Sequence, residues 1–394
     1  MEVWRRAPTA AKRYIFYHCL ITPTLFVWYI VPYLMLIKGL TVEEAGFIFT
    51  VGSAVSAGLS VAVGHFLDKH TPNAIMALVS IVDGSAYLLY YIAFLKQEIF
   101  LLLLGAIIEK LSSSMYSVYP VYEYLVYPED IRDKLYVYHN VLPLLSQAIT
   151  YPIIGYLLGV VFCNTEDLVC SVLVFALISY LFVFLPLYWL PKVSEPIGKS
   201  KKESKKEEKV DKSIPREFYP VALIIILLGL AYSIAPALAL VNLFIENFGG
   251  GLFEISLYEA AAGLTVVFFS LPVLKISKRK AKIAVAAGLI LQMFSQLLLA
   301  VSYRFELAIV SAVAASAGYA IMDPFYMDML FSRIPEHLRG TLLGSIAAVR
   351  RLLAICSPAI AGVLAYRISA SAPYFVSAAL IALAMLLLYF IRSQ

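Results

Sequence analysis

The sequence predicts an all-α polytopic membrane protein, with twelve transmembrane helices in two pseudo-symmetric six-helix halves. Three observations lead there. The chain is 61% hydrophobic and only 14% charged, with a mean hydropathy of +0.84, whereas a soluble domain carries roughly 25% charged residues. Apolar runs of the length that spans the hydrocarbon layer as a helix, about 20 residues, recur from end to end. They are interrupted once by a long polar stretch, KSKKESKKEEKVDK from Lys199 to Lys212, close to the middle of the 394 residues. A membrane barrel is excluded, because its strands read as alternating segments of about ten residues. Helices satisfy their own backbone hydrogen bonds in lipid.

The first span, 14–37, follows Arg5, Arg6, Lys12 and Arg13. It is too long for a signal-peptide core and lacks a small-residue cleavage site, so it is read as a retained helix. Spans 43–66, 74–95 and 99–124 come next, separated by short loops that hold Lys38, Lys69 and Lys96. Spans 136–162 and 168–190 complete the first half, residues 1–190. Pro191 breaks the apolar run and opens a charged cytoplasmic linker, 191–216. Mixed lysine and glutamate make that linker a solvated tether. Contact with anionic lipid is the other reading, and the glutamates weaken it. The second half, 217–394, holds spans 218–246, 253–275, 282–303, 306–331, 341–366 and 372–391.

Charge fixes the expected orientation. With both termini in the cytoplasm, 24 of the 31 lysines and arginines fall on the cytoplasmic side. Lys38, Lys96, Arg304 and Arg367 are outside, and Lys110, Arg350 and Arg351 lie within spans. That bias is the positive-inside pattern of a multi-pass protein of the cell (plasma) membrane. The net charge of +5 follows from it, and nucleic acid is not expected as a partner, since no basic face is interleaved with exposed aromatics. Cys19 and Cys356 sit inside spans as apolar fillers. Cys163 and Cys170 bracket an outer loop, where a disulfide and two free thiols are both open. No cysteine or histidine spacing resembles a metal site, and no cofactor is expected.

The halves echo each other. Pro128-x3-Arg132 precedes the fifth span and Pro335-x3-Arg339 the eleventh; Pro152-Ile153-Ile154-Gly155 parallels Pro358-Ala359-Ile360-Ala361-Gly362; Pro120 parallels Pro324. Weak internal symmetry of this kind is typical of secondary transporters. The two-times-six layout, the central linker, the run from Arg339 to Gly362 and the loop Gly64-His65-Phe66-Leu67-Asp68-Lys69-His70 together resemble the major facilitator superfamily. The loop keeps the first half of the family's G-x-x-x-D-[RK]-x-G-[RK]-[RK] pattern. Thr71, Pro72 and Asn73 stand where the family has a glycine and two basic residues. The antiporter pattern of the fifth span is missing, with only Pro152, Gly155 and Gly159 as a fragment. The resemblance implies that spans 1, 4, 7 and 10 line a central cavity. It also implies that Asp68, Lys69, Arg132 and Arg339 form gating loops.

Charges inside a bilayer stay only when paired or wetted, so the within-span ionisable residues are the candidates: His18, Asp83, Glu109, Lys110, His139, Glu259, Asp323, Asp328, Arg350 and Arg351. Glu109, Ser112, Ser113, Tyr116, Pro120 and Glu123 share one helical face of the fourth span, and such a stripe must face water or a partner. Ser316, Tyr319, Asp323 and Tyr326 repeat it in the tenth; His18, Thr22, Tyr29 and Tyr33 offer one in the first, and Tyr232, Pro236 and Glu246 a weaker one in the seventh. The expected substrate and proton pathway is therefore Glu109, Tyr116, Asp323, Tyr319, Arg350, Arg351 and His18. Glu109 or Asp323 is expected to carry the coupling proton, because poor hydration favours a neutral carboxyl. One arginine would meet an anionic group, since neighbours on a helix differ by about 100°. Against these stand plainer roles: Glu109 and Lys110 each paired with a neighbouring helix, His139 as an interface hydrogen bonder, Asp83 as a partner within its half. Gly52, Gly58, Gly155, Gly159, Gly344 and Gly362 read as close-packing positions.

The expected function is secondary active transport of a small organic solute, weakly favouring an anion, by alternating access and with a proton as coupling ion. The partners are then that solute, protons and membrane lipid, and the chain is expected to act as a monomer. A uniporter and a non-transporting sensor or scaffold are the alternatives. A membrane-embedded enzyme would need clustered acidic and histidine residues at one headgroup level, and the five histidines are scattered along the sequence. No G-x4-G-K-[ST] motif is present to support ATP-driven pumping.

Overall fold

A computed structural model describes residues 2–193, 218–273, 280–331 and 339–389. The chain divides into two compact units, Met1–Lys202 and Glu203–Gln394. In the first, a short helix Glu2–Arg6 leads into α1 (Thr9–Ile37), α2 (Val42–Lys69), α3 (Pro72–Lys96), α4 (Ile99–Val126), α5 (Arg132–Tyr156, closed by a π turn over Leu157–Val161) and α6 (Thr165–Trp189). The second holds α7 (Phe218–Ile234 and Ala237–Phe248, bent by 46°), α8 (Leu252–Val273), α9 (Ala281–Val301), α10 (Phe305–Phe331), α11 (Arg339–Ile355 and Ser357–Arg367) and α12 (Ala372–Tyr389). The fold is all-α, and all twelve predicted spans are helical among the described residues.

Local chemistry sets the helix ends. Thr41 and Glu44 close a capping box on α2, the Thr41 hydroxyl accepting from the Glu44 N–H at 3.2 Å and the Glu44 carboxylate accepting from the Thr41 N–H at 2.8 Å. Asn164 caps α6 by accepting from the Asp167 N–H at 2.7 Å. Gly249 ends α7 in the left-handed region, φ 58°.

Among the described residues, four spans are interrupted in mid-course with a proline beside each interruption, and α6 passes at Val183 into a closing π turn over Leu185–Trp189 that holds Pro186. α1 tightens into a 3-10 stretch over Thr22–Phe26 that contains Pro23. α4 opens after Met115 and restarts at Val118, just ahead of Pro120. α7 stops at Ile234, and Pro236 precedes its second part. α11 pauses at Cys356, with Pro358 in the first turn beyond. A proline fits there because its missing N–H would be unpaired in any case. A hydroxyl takes up a carbonyl at each place: Thr22 donates to His18 O (2.7 Å), Ser113 to Glu109 O (3.0 Å), Ser233 to Gly229 O (2.7 Å) and Ser357 to Leu353 O (3.4 Å). The repeat partners of two of these prolines behave differently. Pro152 and Pro324 lie inside uninterrupted stretches of α5 and α10, so the two halves share the residue but not the break.

Each unit has its own core. The first is aromatic, built on Tyr14, Tyr17, Tyr122 and Tyr127 with Ile15, Met76 and Leu135. The second is aliphatic, joining Val221, Ile224 and Leu228 of α7 to Val285 and Leu289 of α9, Met322 of α10 and Ile381 of α12. Helices α9 and α10 meet backbone to backbone at Gly288 and Gly318. A Cβ on Gly288 would sit 2.6 Å from the Gly318 carbonyl, and one on Gly318 would sit 2.6 Å from the Gly288 carbonyl. Gly52 of α2 is likewise pressed against the Ala106 carbonyl of α4, at 2.8 Å. Gly58 corrects the sequence expectation: nothing lies within 4 Å of a Cβ placed there, so this glycine makes no close packing contact. Cys163 and Cys170 are free, exposed thiols.

The residues that depart from the family loop pattern have a job here. Pro72 opens α3, and the buried Asn73 side chain donates to the carbonyls of Pro186 (2.8 Å) and Pro191 (3.2 Å) and accepts from the Val193 N–H (3.0 Å). Tyr122 donates to the same Pro191 carbonyl at 2.9 Å. The exit from α6 is thus fastened to α3 and α4. Asn73→Ala should leave buried polar groups unpaired at about 1–3 kcal/mol each. The expected outcome is faster limited proteolysis after Lys192 together with a lower melting temperature.

Candidate functional site

Three polar clusters built around carboxylates stand out among the described residues of the apolar spans, two in the first unit and one in the second. The first joins α3 to α4. Glu109 is buried; it accepts from the Tyr90 hydroxyl at 2.7 Å and pairs with Lys110 at 3.0 Å. Lys110 also lies 5.6 Å from the Phe49 ring of α2. Two helical turns further on, the Tyr116 hydroxyl donates to the Asp83 carboxylate at 3.3 Å. The upper part of the α4 stripe therefore faces α3, its neighbour within the unit. Glu109 and Tyr116 both belong to this interface, and Asp83, the one within-span charge of the third span, supplies the other side.

The second cluster gathers α1, α4 and α5. Glu123 lies at the lower end of the α4 stripe. It accepts from the Tyr14 hydroxyl at 3.1 Å, and His139 Nε2 is 3.5 Å from the same carboxylate oxygen. Tyr127 is hydrogen-bonded to His139 Nδ1 at 2.8 Å. The His18 ring stands 4.5 Å from the His139 ring, centroid to centroid, and is walled by Tyr14, Tyr17 and Tyr119. One donor atom each from His18, Glu123 and His139 lies within 4.8 Å of the others. His18 thus belongs to a group separate from Glu109. His139 does hydrogen-bond at a helix interface, as its plainer reading expects, but it does so beside a second imidazole and a carboxylate.

The third cluster lies in the second unit. The Tyr232 hydroxyl of α7 donates to the Gln292 side-chain oxygen of α9. The charges of Asp323 and Arg350 both act on Tyr232 and Tyr326, and Asp323 also acts on Tyr319. Asp323 is half-buried and makes no hydrogen bond or ion pair among the described residues. The Arg350 side chain runs along the α7 backbone at Gly229, where a Cβ would collide with it. Arg351 is exposed. Asp323, Tyr319 and Arg350 thus share one neighbourhood with Tyr232 and Tyr326, and Arg351 leaves the helix about 100° away from Arg350.

At the expected gating loops, Lys69 is exposed. Arg132 donates to the carbonyls of Tyr127 and Tyr124, both at 3.3 Å, and stacks over the Tyr124 ring at 4.2 Å. It therefore clasps the end of α4. The side chains of Asp68, Asp328 and Arg339, the loop 274–279 and the linker 194–217 lie outside the described residues. Sequence reasoning did not assign Tyr14, Tyr90, Tyr127 or Gln292 to any site. Their signal is a hydroxyl or amide in an apolar span, which tyrosine abundance hides: there are 27 tyrosines.

A family model described as Major Facilitator Superfamily matches residues 14–355 and 221–394. No curated protein matches the sequence. Solved structures do match over nearly their full length. A bacterial homologue of the iron transporter ferroportin, inward-facing, gives a TM-score of 0.73 at 14% identity, over 98% of this chain and 99% of that one. The nucleoside transporter NupG gives 0.68 at 10% identity, over 98% of each chain. A POT family transporter in complex with a thioalcohol-conjugated peptide gives 0.70 at 14% identity, over 98% of this chain and 95% of that one.

Proposed function

The chain belongs to the Major Facilitator Superfamily, and from that premise we propose that it is a secondary active transporter, coupled to protons, that moves a small organic anion by alternating access across the cell membrane with both termini cytoplasmic. The observation that carries this reading is Asp323. It is a carboxylate inside an apolar span, without a fixed partner among the described residues, beside Arg350 and the tyrosines 232, 319 and 326. Such a group is free to take up and release a proton. Glu109 is less suited, because Tyr90 and Lys110 already hold it. Arg350 supports an anionic substrate, since a guanidinium in an apolar span needs a counter-charge. The similar structures are a homologue of an iron transporter, a nucleoside transporter and a transporter in complex with a peptide conjugate, so the fold alone does not select a substrate class.

The test is uptake into proteoliposomes under an imposed pH gradient, with a panel of organic anions, neutral solutes and peptides. Accumulation of an anion that collapses on adding a protonophore is the expected result. Uptake indifferent to the gradient would make the protein a uniporter. A well-folded preparation that takes up none of the panel would favour the non-transporting scaffold.

A further inference from the structure

We propose that His18, Glu123 and His139 form a binding site for a divalent first-row transition-metal ion within the N-terminal unit. The three donors come from α1, α4 and α5 and lie within 4.8 Å of one another. A tetrahedral ion with metal–nitrogen bonds of about 2.0–2.1 Å wants donors about 3.4 Å apart, so an inward movement of about 1 Å or less by each side chain completes the site. Two imidazoles and one carboxylate suit zinc, cobalt, iron(II) or manganese, leave positions open for water, and are a poor match for magnesium or calcium, which take oxygen donors.

The surroundings are those of a ligand set. Tyr127 meets His139 at Nδ1, which leaves Nε2, the nitrogen nearest Glu123, for the ion. Tyr14 holds the Glu123 carboxylate by donating to it. Outer partners of this kind fix ligand orientation. Glu123 and His139 keep 11% and 14% of their side-chain surface, so the site is enclosed but reachable. A proton relay through Tyr14, Glu123, His139 and Tyr127 is the competing account. It leaves His18 unexplained: its Nε2 is buried without a hydrogen-bond partner, in a ring set 4.5 Å from a second imidazole. An ion gives that nitrogen a partner.

The full-length protein, purified in detergent and stripped with a chelator, would be titrated with Co2+ and then with Zn2+. One Co2+ per chain is expected, with the visible absorption of a histidine-ligated tetrahedral or five-coordinate ion, displaced by Zn2+ and not by Mg2+. His18→Ala, His139→Ala and Glu123→Gln should each abolish the band. Tyr127→Phe should weaken binding by about 10–100-fold. A His65→Ala/His70→Ala variant at the exposed end of α2 should leave it unchanged. Stripped wild-type protein that gains no such band, or a band lost only with His65 and His70, overturns the proposal; neither outcome depends on whether the ligand variants fold. Binding in detergent is read without transport, so a blank uptake screen and a blank titration fail separate ideas.

Discussion

Asp323→Asn should lose gradient-driven uptake by on the order of a hundredfold, the lower end of what a positioned proton-transfer group contributes. Asparagine keeps the shape and polarity of the side chain and removes its capacity to ionise. Solute exchange between the two sides of a vesicle needs no net proton movement, so counterflow should survive while accumulation does not. Glu109→Gln is the informative comparison. Its partners, the Tyr90 hydroxyl and the Lys110 ammonium, are both donors, and the variant leaves that ammonium without its counter-charge. The expected result there is lost stability with coupling retained in whatever folds. If Asp323→Asn accumulates substrate with the pH dependence of the parent, the coupling role falls.

Gly318→Leu should be the most damaging substitution for the second unit. A Cβ at this position meets the Gly288 backbone carbonyl at 2.6 Å, and the Gln292 and Leu291 side chains at 3.0 Å. A side chain can turn away, but a carbonyl in the facing helix cannot, so α9 and α10 must separate and the core around Val285, Leu289 and Met322 must open. Overpacking costs about 1–3 kcal/mol even where side chains can adjust; here the upper end or beyond is expected, read as a lower melting temperature in detergent. Gly58→Ala is the matched control. Open space surrounds that position, and alanine is the better helix former by about 1 kcal/mol, so melting should stay level or rise.

The spans were legible because lipid imposes a length and a composition that any apolar run either meets or does not. Where the helices break was only half legible. The prolines are plain in the sequence, yet Pro120 sits just beyond a break while Pro324, its repeat partner, rides within an intact helix. A proline leaves a carbonyl one turn back without its donor, and whether the helix bends or absorbs the defect depends on neighbours that no local pattern records. The candidate site shows the same limit. The α4 stripe was readable from 3.6-residue periodicity, and it turns to buried partners. That those partners are Asp83 and Tyr90 at one level, and Tyr14 and His139 at another, depends on which helices stand beside α4. His18 and His139 each looked solitary along the chain. They meet because α1 and α5 pack together, a fact stored in apolar surfaces and not in the histidines.

The four interrupted spans also have a mechanical consequence. In an unbroken helix, bending means stretching backbone hydrogen bonds that have no substitute in lipid. At these joints the regular backbone ladder is already broken, and the hydroxyl of Thr22, Ser113, Ser233 or Ser357 donates to a carbonyl one turn back, a bond that can swivel. Stiffness therefore falls at the middle of α1 and α4 in one unit and of α7 and α11 in the other, while α3, α9 and α12 run on as struts. Each sextet has its own compliant elements inside a firm frame, so a change of shape need not wait for two inflexible blocks to tilt; it can begin as a flexing of two helices within either one.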